Sequence, residues 1–184
     1  MLLNLKIFIK TYLFIVCFLS ILTTTIASAQ ETDDYILNSD DVVSVYVYDE
    51  PDLSLDNERV SNLGSITMPL VGTVVVKGLS VTQAEEKIEG LYKGDYLKNP
   101  DVRIVIDEYR QFFVNGEVKK PGAFSFRKGM TVQRAITLAG GFTERASKSD
   151  ITLIEEGNKN ITKEVSLNHS VKPGDVITVQ ESFF

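Results

Sequence analysis

Few side chains in this sequence have the types and spacing that enzymatic chemistry requires. His169 is the only histidine, and Cys17, the only cysteine, lies in an apolar run near the start of the chain. A zinc site made of histidine and cysteine would therefore lack ligands. No G-x-S-x-G, H-E-x-x-H or glycine-rich phosphate loop occurs. We expect no catalytic residue, no metal and no cofactor.

Paired acidic residues are the other candidates for acid–base chemistry. Glu155 and Glu156 are neighbours at the end of a predicted strand, where successive side chains point to opposite faces. Asp40 and Asp41 lie in a predicted turn, in which aspartate typically bonds its own backbone. We interpret both pairs as structural, and this does not favour an enzyme.

Lys119 and Lys120 are the candidates for a binding role. Pro121-Gly122, which follows them, fits the two central positions of a type II turn. The two lysines either keep this turn soluble, which we favour, or contact an anionic polymer or a partner protein.

The first 29 residues predict a secretory signal peptide. Lys6 and Lys10 form a positive start, residues 12–22 form an apolar core, and Ala27-Ser28-Ala29 is a small-x-small cleavage site before Gln30. The apolar core is shorter than the about 20 residues of a membrane span. An uncleaved anchor is the alternative interpretation.

Charge and cysteine content restrict the function classes. Both basic residues of the predicted leader are lost on cleavage and no acidic residue is, so the remainder is more acidic than the whole chain at −6. Nucleic-acid binding needs clustered Lys and Arg and is not expected. Ile15 and Val16 precede Cys17 where a lipoprotein signal has small residues, so we do not expect lipidation.

Strand signals dominate the rest of the chain. Residues 43–48 alternate apolar and polar side chains with a period of two, which predicts a β-strand. Further short runs bounded by Gly, Pro, Asn or Asp predict strands at residues 65–68, 73–76, 102–106, 112–114, 123–126, 151–154, 161–165 and 176–179.

Apolar residues at helical spacing predict two helices. The first covers residues 81–92 and begins with a capping box of Ser80 and Gln83. The second covers residues 132–139 and ends at Gly140-Gly141, because glycine tolerates the left-handed conformation there. The charged residues of the first helix, Glu85, Glu86, Lys87 and Glu89, predict a solvated face with a Glu89–Lys93 pair.

Two internal similarities indicate two related units. Residues 78–84 and 129–135 each place a glycine, an apolar residue and a hydroxyl residue before the first turn of a helix. Residues 39–45 and 173–179 each lead from a turn into a strand.

Several short motifs occur in an order and spacing that resemble the Wza-type polysaccharide export family. The motifs of the first part are Tyr35-Ile36-Leu37, Asp41–Val45, Pro51–Ser54, Gly64-Ser65-Ile66, Pro69–Gly72, Gly78-Leu79-Ser80 and Ala84. Those of the second part are Val114–Gly122, Gly129–Val132, Ala135-Ile136, Ala139–Gly141 and Pro173–Ile177. The resemblance covers the chain from about Tyr35 onward.

The resemblance implies an α+β fold, with a small β-rich export domain followed by a β-grasp-like SLBB (soluble ligand-binding β-grasp) domain. We place the signal peptide at residues 1–29, the export domain at 30–108 and the SLBB domain at 109–184. Against the family pattern, a lipidation cysteine and a second SLBB unit are missing. The sequence also stops a few residues after its last strand, so we expect a short form without the C-terminal membrane helix.

The resemblance further implies a periplasmic, outer-membrane-associated component of capsular or exopolysaccharide export, without enzymatic activity. The expected partners are the polysaccharide, further copies in a homo-oligomeric ring, an inner-membrane polysaccharide co-polymerase and a separate outer-membrane β-barrel. The alternative is a periplasmic glycan-binding or regulatory module without a conduit role. A polysaccharide-modifying enzyme is least favoured.

The leader interpretation predicts that the mature protein begins at Gln30 and carries no lipid, because cleavage follows Ala29. Intact-mass measurement of the protein isolated from cells checks this. A diacylglyceryl group on Cys17, or retention of residues 1–29, would contradict it.

Overall fold

The computed structural model describes residues 35–182, and the structural statements below refer to that part of the chain. Ala29, Gln30 and the rest of the predicted signal peptide lie outside it. The strands are β1 (Val42–Val47), β2 (Leu55–Arg59), β3 (Ser65–Met68), β4 (Gly72–Val75), β5 (Val102–Glu108), β6 (Phe112–Gly116), β7 (Gly122–Phe124), β8 (Ala146–Ile154), β9 (Thr162–Glu164) and β10 (Val176–Glu181). The helices are α1 (Val81–Tyr92) and α2 (Val132–Leu138), and neither is long and apolar enough to cross a membrane.

The N-terminal half, residues 35–108, contains a three-stranded antiparallel sheet in the order β2-β1-β5 and the hairpin β3-β4. Val43, Val45 and Val47 of β1 point inward, while Tyr46 between them is exposed. These valines pack with Ile88 of α1 in one hydrophobic cluster. The predicted strand is thus confirmed, and the alternation holds except at Ser44, which is also buried.

The C-terminal half, residues 109–182, contains a five-stranded mixed sheet in the order β7-β6-β10-β8-β9. The pair β6 and β10 is parallel, and the other neighbours are antiparallel. Val114 and Ile177 of the parallel pair pack with Ala135 and Ile136 of α2 in a second hydrophobic cluster. The two helices and the mixed sheets agree with the predicted α+β class and β-grasp-like architecture.

The two helices begin in the same way, as the sequence similarity predicted. Gly78 and Gly129 both have positive φ, of 80° and 76°, which a side chain would oppose. Two residues later the hydroxyls of Ser80 and Thr131 accept hydrogen bonds from the backbone of the first helical turn. The predicted capping box of Ser80 and Gln83 is complete.

Each helix start is also joined to a loop distant in the sequence. The N–H of Val81 donates to the carbonyl of Tyr35 at 3.2 Å, and the N–H of Val132 donates to the carbonyl of His169 at 3.0 Å. Tyr35 and His169 lie six residues before Asp41 and Asp175, which precede β1 and β10. Each half therefore contains an equivalent hydrogen bond between a helix start and a loop. In the N-terminal half the loop precedes the helix along the chain, and in the C-terminal half it follows the helix.

Two local predictions are wrong. β2 was missed because its sequence, Leu55–Arg59, is mostly polar and shows no apolar alternation, yet it pairs with β1 at the sheet edge. Pro121-Gly122 does not form a type II turn. Gly122 has φ 157° and pairs with Val114 in the sheet, and the chain reverses earlier, where Gly116 has φ 77°.

The predicted solvated face of α1 is also wrong for two of its glutamates. Glu89 Oε1 accepts the N–H of Val102 at 3.0 Å, and Glu85 Oε1 accepts the N–H of Ile104 at 2.8 Å. These donors belong to β5, an edge strand of the first sheet. Unpaired edge groups invite association with other chains, and the two carboxylates cover them.

The tip of the β3-β4 hairpin contains a strained leucine. Leu70 has φ 63°, and the N–H of Val71 donates to the carbonyl of Pro69 at 2.7 Å, which describes a γ-turn. The hydroxyl of Tyr92 holds the Pro69 carbonyl at 2.9 Å. Leu70 itself is 65% exposed. A left-handed, β-carbon-bearing residue costs energy that the surrounding contacts must offset.

We predict that Leu70→Gly raises the free energy of unfolding by about 0.5 kcal/mol, because relief of the left-handed strain exceeds the entropy cost of glycine. Leu63→Gly is the matched control, since Leu63 is an 85% exposed loop leucine whose φ is not positive. It should lower the free energy of unfolding by a similar amount. Urea unfolding of both variants checks this, and a lower stability of Leu70→Gly than of the wild type would contradict it.

Candidate functional site

A groove of about 1240 Å³ lies where the two halves meet. Its walls come from the loop before β1 (residues 38–40), the junction from β5 to β6 (107–113), and residues 125–128 after β7. Residues 154–156, Gly174, Val176 and the basic residues Arg59, Lys77 and Lys159 complete it. This concave surface is the candidate functional site.

A buried carboxylate lies beside the groove. Asp41 is fully buried, and its side chain accepts hydrogen bonds from the N–H of Asn38 at 2.8 Å and from the N–H of Arg110 at 3.0 Å. The hydroxyl of Tyr35 donates to it at 2.8 Å. The guanidinium of Arg110 lies 3.3 Å from the same carboxylate and compensates its charge. A buried charge requires such a partner.

Arg110 connects this carboxylate to the C-terminal half. Its Nε donates to Glu156 Oε2 at 2.6 Å, and Asn38 Nδ2 donates to the same oxygen at 3.3 Å. Its Nη1 also donates to the hydroxyl of Tyr35. The side chain of Arg110 is only 14% exposed. One guanidinium therefore holds residues of both halves in fixed positions beside the groove.

Aromatic rings pack around this ion pair. The rings of Tyr35 and Tyr109 meet edge to face at 4.9 Å between centroids, and those of Tyr109 and Phe126 at 5.4 Å. The guanidinium carbon of Arg110 lies 5.7 Å from the Tyr35 ring centroid. Burial and the hydrogen bond to Asp41 raise the pKa of Tyr35 above its ordinary value, so its hydroxyl keeps its proton and remains a donor.

Asp175 is the counterpart of Asp41 in the C-terminal half. It is also buried, and its Oδ2 accepts the N–H of Lys172, three residues earlier, at 2.8 Å, just as Asp41 accepts that of Asn38. Among the residues that the structure describes, it has no salt-bridge partner. Burial raises the pKa of the Asp175 carboxyl, while hydrogen bonds from backbone N–H groups oppose this effect.

The acidic pairs considered for catalysis have structural contacts. Asp41 makes the turn hydrogen bond that the sequence predicted, but its ion pair with Arg110 was missed. Glu155 pairs with Lys163 at 2.9 Å, whereas Glu156 turns to Arg110. Within residues 35–182, His, Cys, Asp and Glu side chains form no group of three that could hold a metal ion.

Lys119 and Lys120 are exposed and do not line the groove. Their backbone N–H groups donate to the carbonyls of Gly141, at 3.0 Å, and Ala139, at 2.8 Å, at the end of α2. Positive side chains near a helix C-terminus are favourable. These contacts give the backbone of the two residues a structural role, and a polymer or partner contact by the two lysine side chains stays a prediction.

Family models match both halves of the chain. The model described as polysaccharide biosynthesis/export protein matches residues 29–107, and the SLBB domain model matches residues 111–163. Together with the mixed sheets, these matches define an export domain followed by an SLBB domain. The chain belongs to the polysaccharide export protein family.

Curated relatives carry corresponding names. The chain is 34% identical over 107 residues to the polysialic acid transport protein KpsD of Escherichia coli, covering 58% of this chain and 18% of that protein. It is 24% identical over 182 residues to the EPS I polysaccharide export outer membrane protein EpsA of Ralstonia nicotianae, covering 80% and 47%. The exopolysaccharide production protein ExoF of Rhizobium meliloti is 30% identical over 80 residues, covering 42% and 19%. The chain spans less than half the length of each relative.

The different partners of the two buried aspartates lead to a prediction. Asp41→Asn keeps the shape of the side chain but leaves Arg110 without its buried counter-charge. We expect the free energy of unfolding to fall by about 2–3 kcal/mol at neutral pH. Urea unfolding measures the change.

Asp175→Asn is the matched control, with an expected change within about 1 kcal/mol, because no basic side chain pairs with Asp175. Since burial raises its pKa, the stability that Asp175 contributes is present at low pH and is lost as pH rises through the folded-state pKa. As pH falls, the free energy of unfolding of the wild type should therefore rise relative to that of Asp175→Asn. Equal losses for both variants at neutral pH would contradict the assigned role of Arg110.

Proposed function

We propose that this protein is a component of a capsular or exopolysaccharide export machine, located in the periplasm in association with the outer membrane. The observation that carries the proposal is the succession of an export domain and an SLBB domain along one chain. The names of the relatives, which describe polysaccharide transport and an outer-membrane export protein, support it. A secretory leader ending at Ala29 would deliver the chain to the periplasm.

Its role in this machine is structural rather than enzymatic. Asp41 and Arg110, the buried charged side chains beside the groove, form a salt bridge with each other. Tyr35 donates a hydrogen bond to Asp41, and Arg110 also pairs with Glu156. These contacts stabilise the junction of the two halves. The family acts in transport, and this agrees with a part that holds its neighbours in place.

We further propose that copies of the chain form a ring that is part of a conduit for the polymer. Head-to-tail contacts close into rings when the rotation between copies allows it. The hairpin region of the N-terminal half exposes Leu63 by 85%, Leu70 by 65% and Val75 by 51%, and contacts between copies would cover such apolar surface. An inner-membrane polysaccharide co-polymerase and a separate outer-membrane pore protein would complete the pathway.

A glycan-binding or regulatory module is the second candidate, and the groove between the halves favours it. The two candidates differ in assembly, because a conduit requires rings whereas a binder works as a monomer. They also differ in affinity, because a conduit must release the polymer that passes through it.

We predict that deletion of the gene abolishes surface polysaccharide and that the wild-type gene restores it, as measured by quantitative staining of the cell surface. The mature protein, alone or with the co-polymerase, should have the native mass of a closed ring. Unchanged surface polysaccharide in the deletion strain would contradict the export role. A strict monomer under both conditions would contradict the conduit and favour the binding module.

A further inference from the structure

Among the described residues, more basic than acidic side chains of the groove lack a salt bridge. Within residues 35–182, five basic residues of the groove take part in no salt bridge: Arg59, Lys77, Arg127, Lys128 and Lys159. Arg59 donates to the carbonyl of Asp40 at 3.0 Å and Lys77 donates to the hydroxyl of Ser39 at 3.3 Å. Both contacts are with neutral groups, so they leave the positive charges uncompensated.

Five acidic residues line the groove, and two of them form salt bridges: Asp40, Asp107, Glu108, Glu155 and Glu156. Glu156 is held by Arg110, and Glu155 pairs with Lys163. Asp107 accepts the hydroxyl of the buried Ser44 at 2.6 Å. Within residues 35–182, five basic and three acidic side chains of the groove take part in no salt bridge, so the groove presents an excess of positive charge on a chain whose net charge is −6. Low-dielectric walls concentrate the field of such charges in a concave surface.

The groove also presents an apolar surface beside these charges. Phe113 of β6 and Phe126 both line it. Phe113 is 43% exposed, and the rings of Phe126 and Tyr109 meet edge to face. An exposed aromatic ring can pack against the apolar face of a sugar ring, while Arg and Lys bind its carboxylate. The volume of about 1240 Å³ exceeds the about 300–1,000 Å³ typical of small-molecule pockets, so the groove has room for several sugar units.

We propose that the groove binds a segment of an acidic, carboxylate-bearing polysaccharide. Arg127 and Lys128 bind the carboxylates, and Phe113 packs against a sugar face. This inference rests on the proposed export function and names the surface that its polymer touches. It places the contact at the junction of the halves rather than at Lys119 and Lys120.

The test compares two double variants that remove the same charge. Binding of the mature chain to tetragalacturonate, an oligomer of acidic sugars, is measured by NMR titration, with the neutral maltotetraose as the reference ligand. Arg127→Ser/Lys128→Ser should weaken tetragalacturonate binding about tenfold, since charge-assisted hydrogen bonds are lost. Lys119→Ser/Lys120→Ser should change it less than about twofold. Unchanged thermal unfolding shows that each variant remains folded.

A third variant tests the ring contact separately. Phe113→Ala should weaken tetragalacturonate binding while leaving its dependence on salt concentration as in the wild type, because no charge is removed.

Three results would overturn the proposal. They are no binding of tetragalacturonate by the wild type, equal binding of maltotetraose, or a loss of binding in the Lys119/Lys120 variant as large as that in the Arg127/Lys128 variant. None of these results bears on the deletion strain. If that strain lacks surface polysaccharide while the groove variants bind normally, the groove assignment fails and the export function stands.

Discussion

The buried ion pair of Asp41 and Arg110 is the interaction on which the arrangement of the two halves depends. The carboxylate lies just before β1, in the N-terminal half, and the guanidinium lies between β5 and β6 and extends to Glu156 after β8. A fully buried carboxylate without this partner would cost several kcal/mol. The groove follows from the same contacts, because they fix the loops that form its walls.

The comparison with Asp175 shows which part of this arrangement is local. Both aspartates accept the N–H of the residue three positions earlier and lead into a central strand. Only Asp41 faces an arginine. The aspartate turn thus occurs in both halves, whereas the ion pair with arginine occurs at Asp41, where the halves meet.

Charged side chains satisfy backbone groups elsewhere in the molecule too. Glu85 and Glu89 accept hydrogen bonds from the backbone N–H groups of the edge strand β5. Each of these residues looked from the sequence like a solvent-exposed charge. The exposed fraction of a side chain depends on what packs beside it, and local sequence does not contain that information. The domain boundary between residues 108 and 109 stays a prediction.

The sequence by itself determined the two helices with their starts, nearly all the strands and the α+β class, because hydrophobic period and turn residues act between neighbours in the chain. The family was indicated by the resemblance of its ordered motifs. It missed β2, whose polar residues pair only because β1 lies beside them. The tertiary structure alone decided the site. Arg110 is 69 residues from Asp41 and 46 from Glu156, and no periodic pattern links charges at such separations. Folding joins them because a carboxylate buried next to β1 is stable only when a positive charge is buried with it.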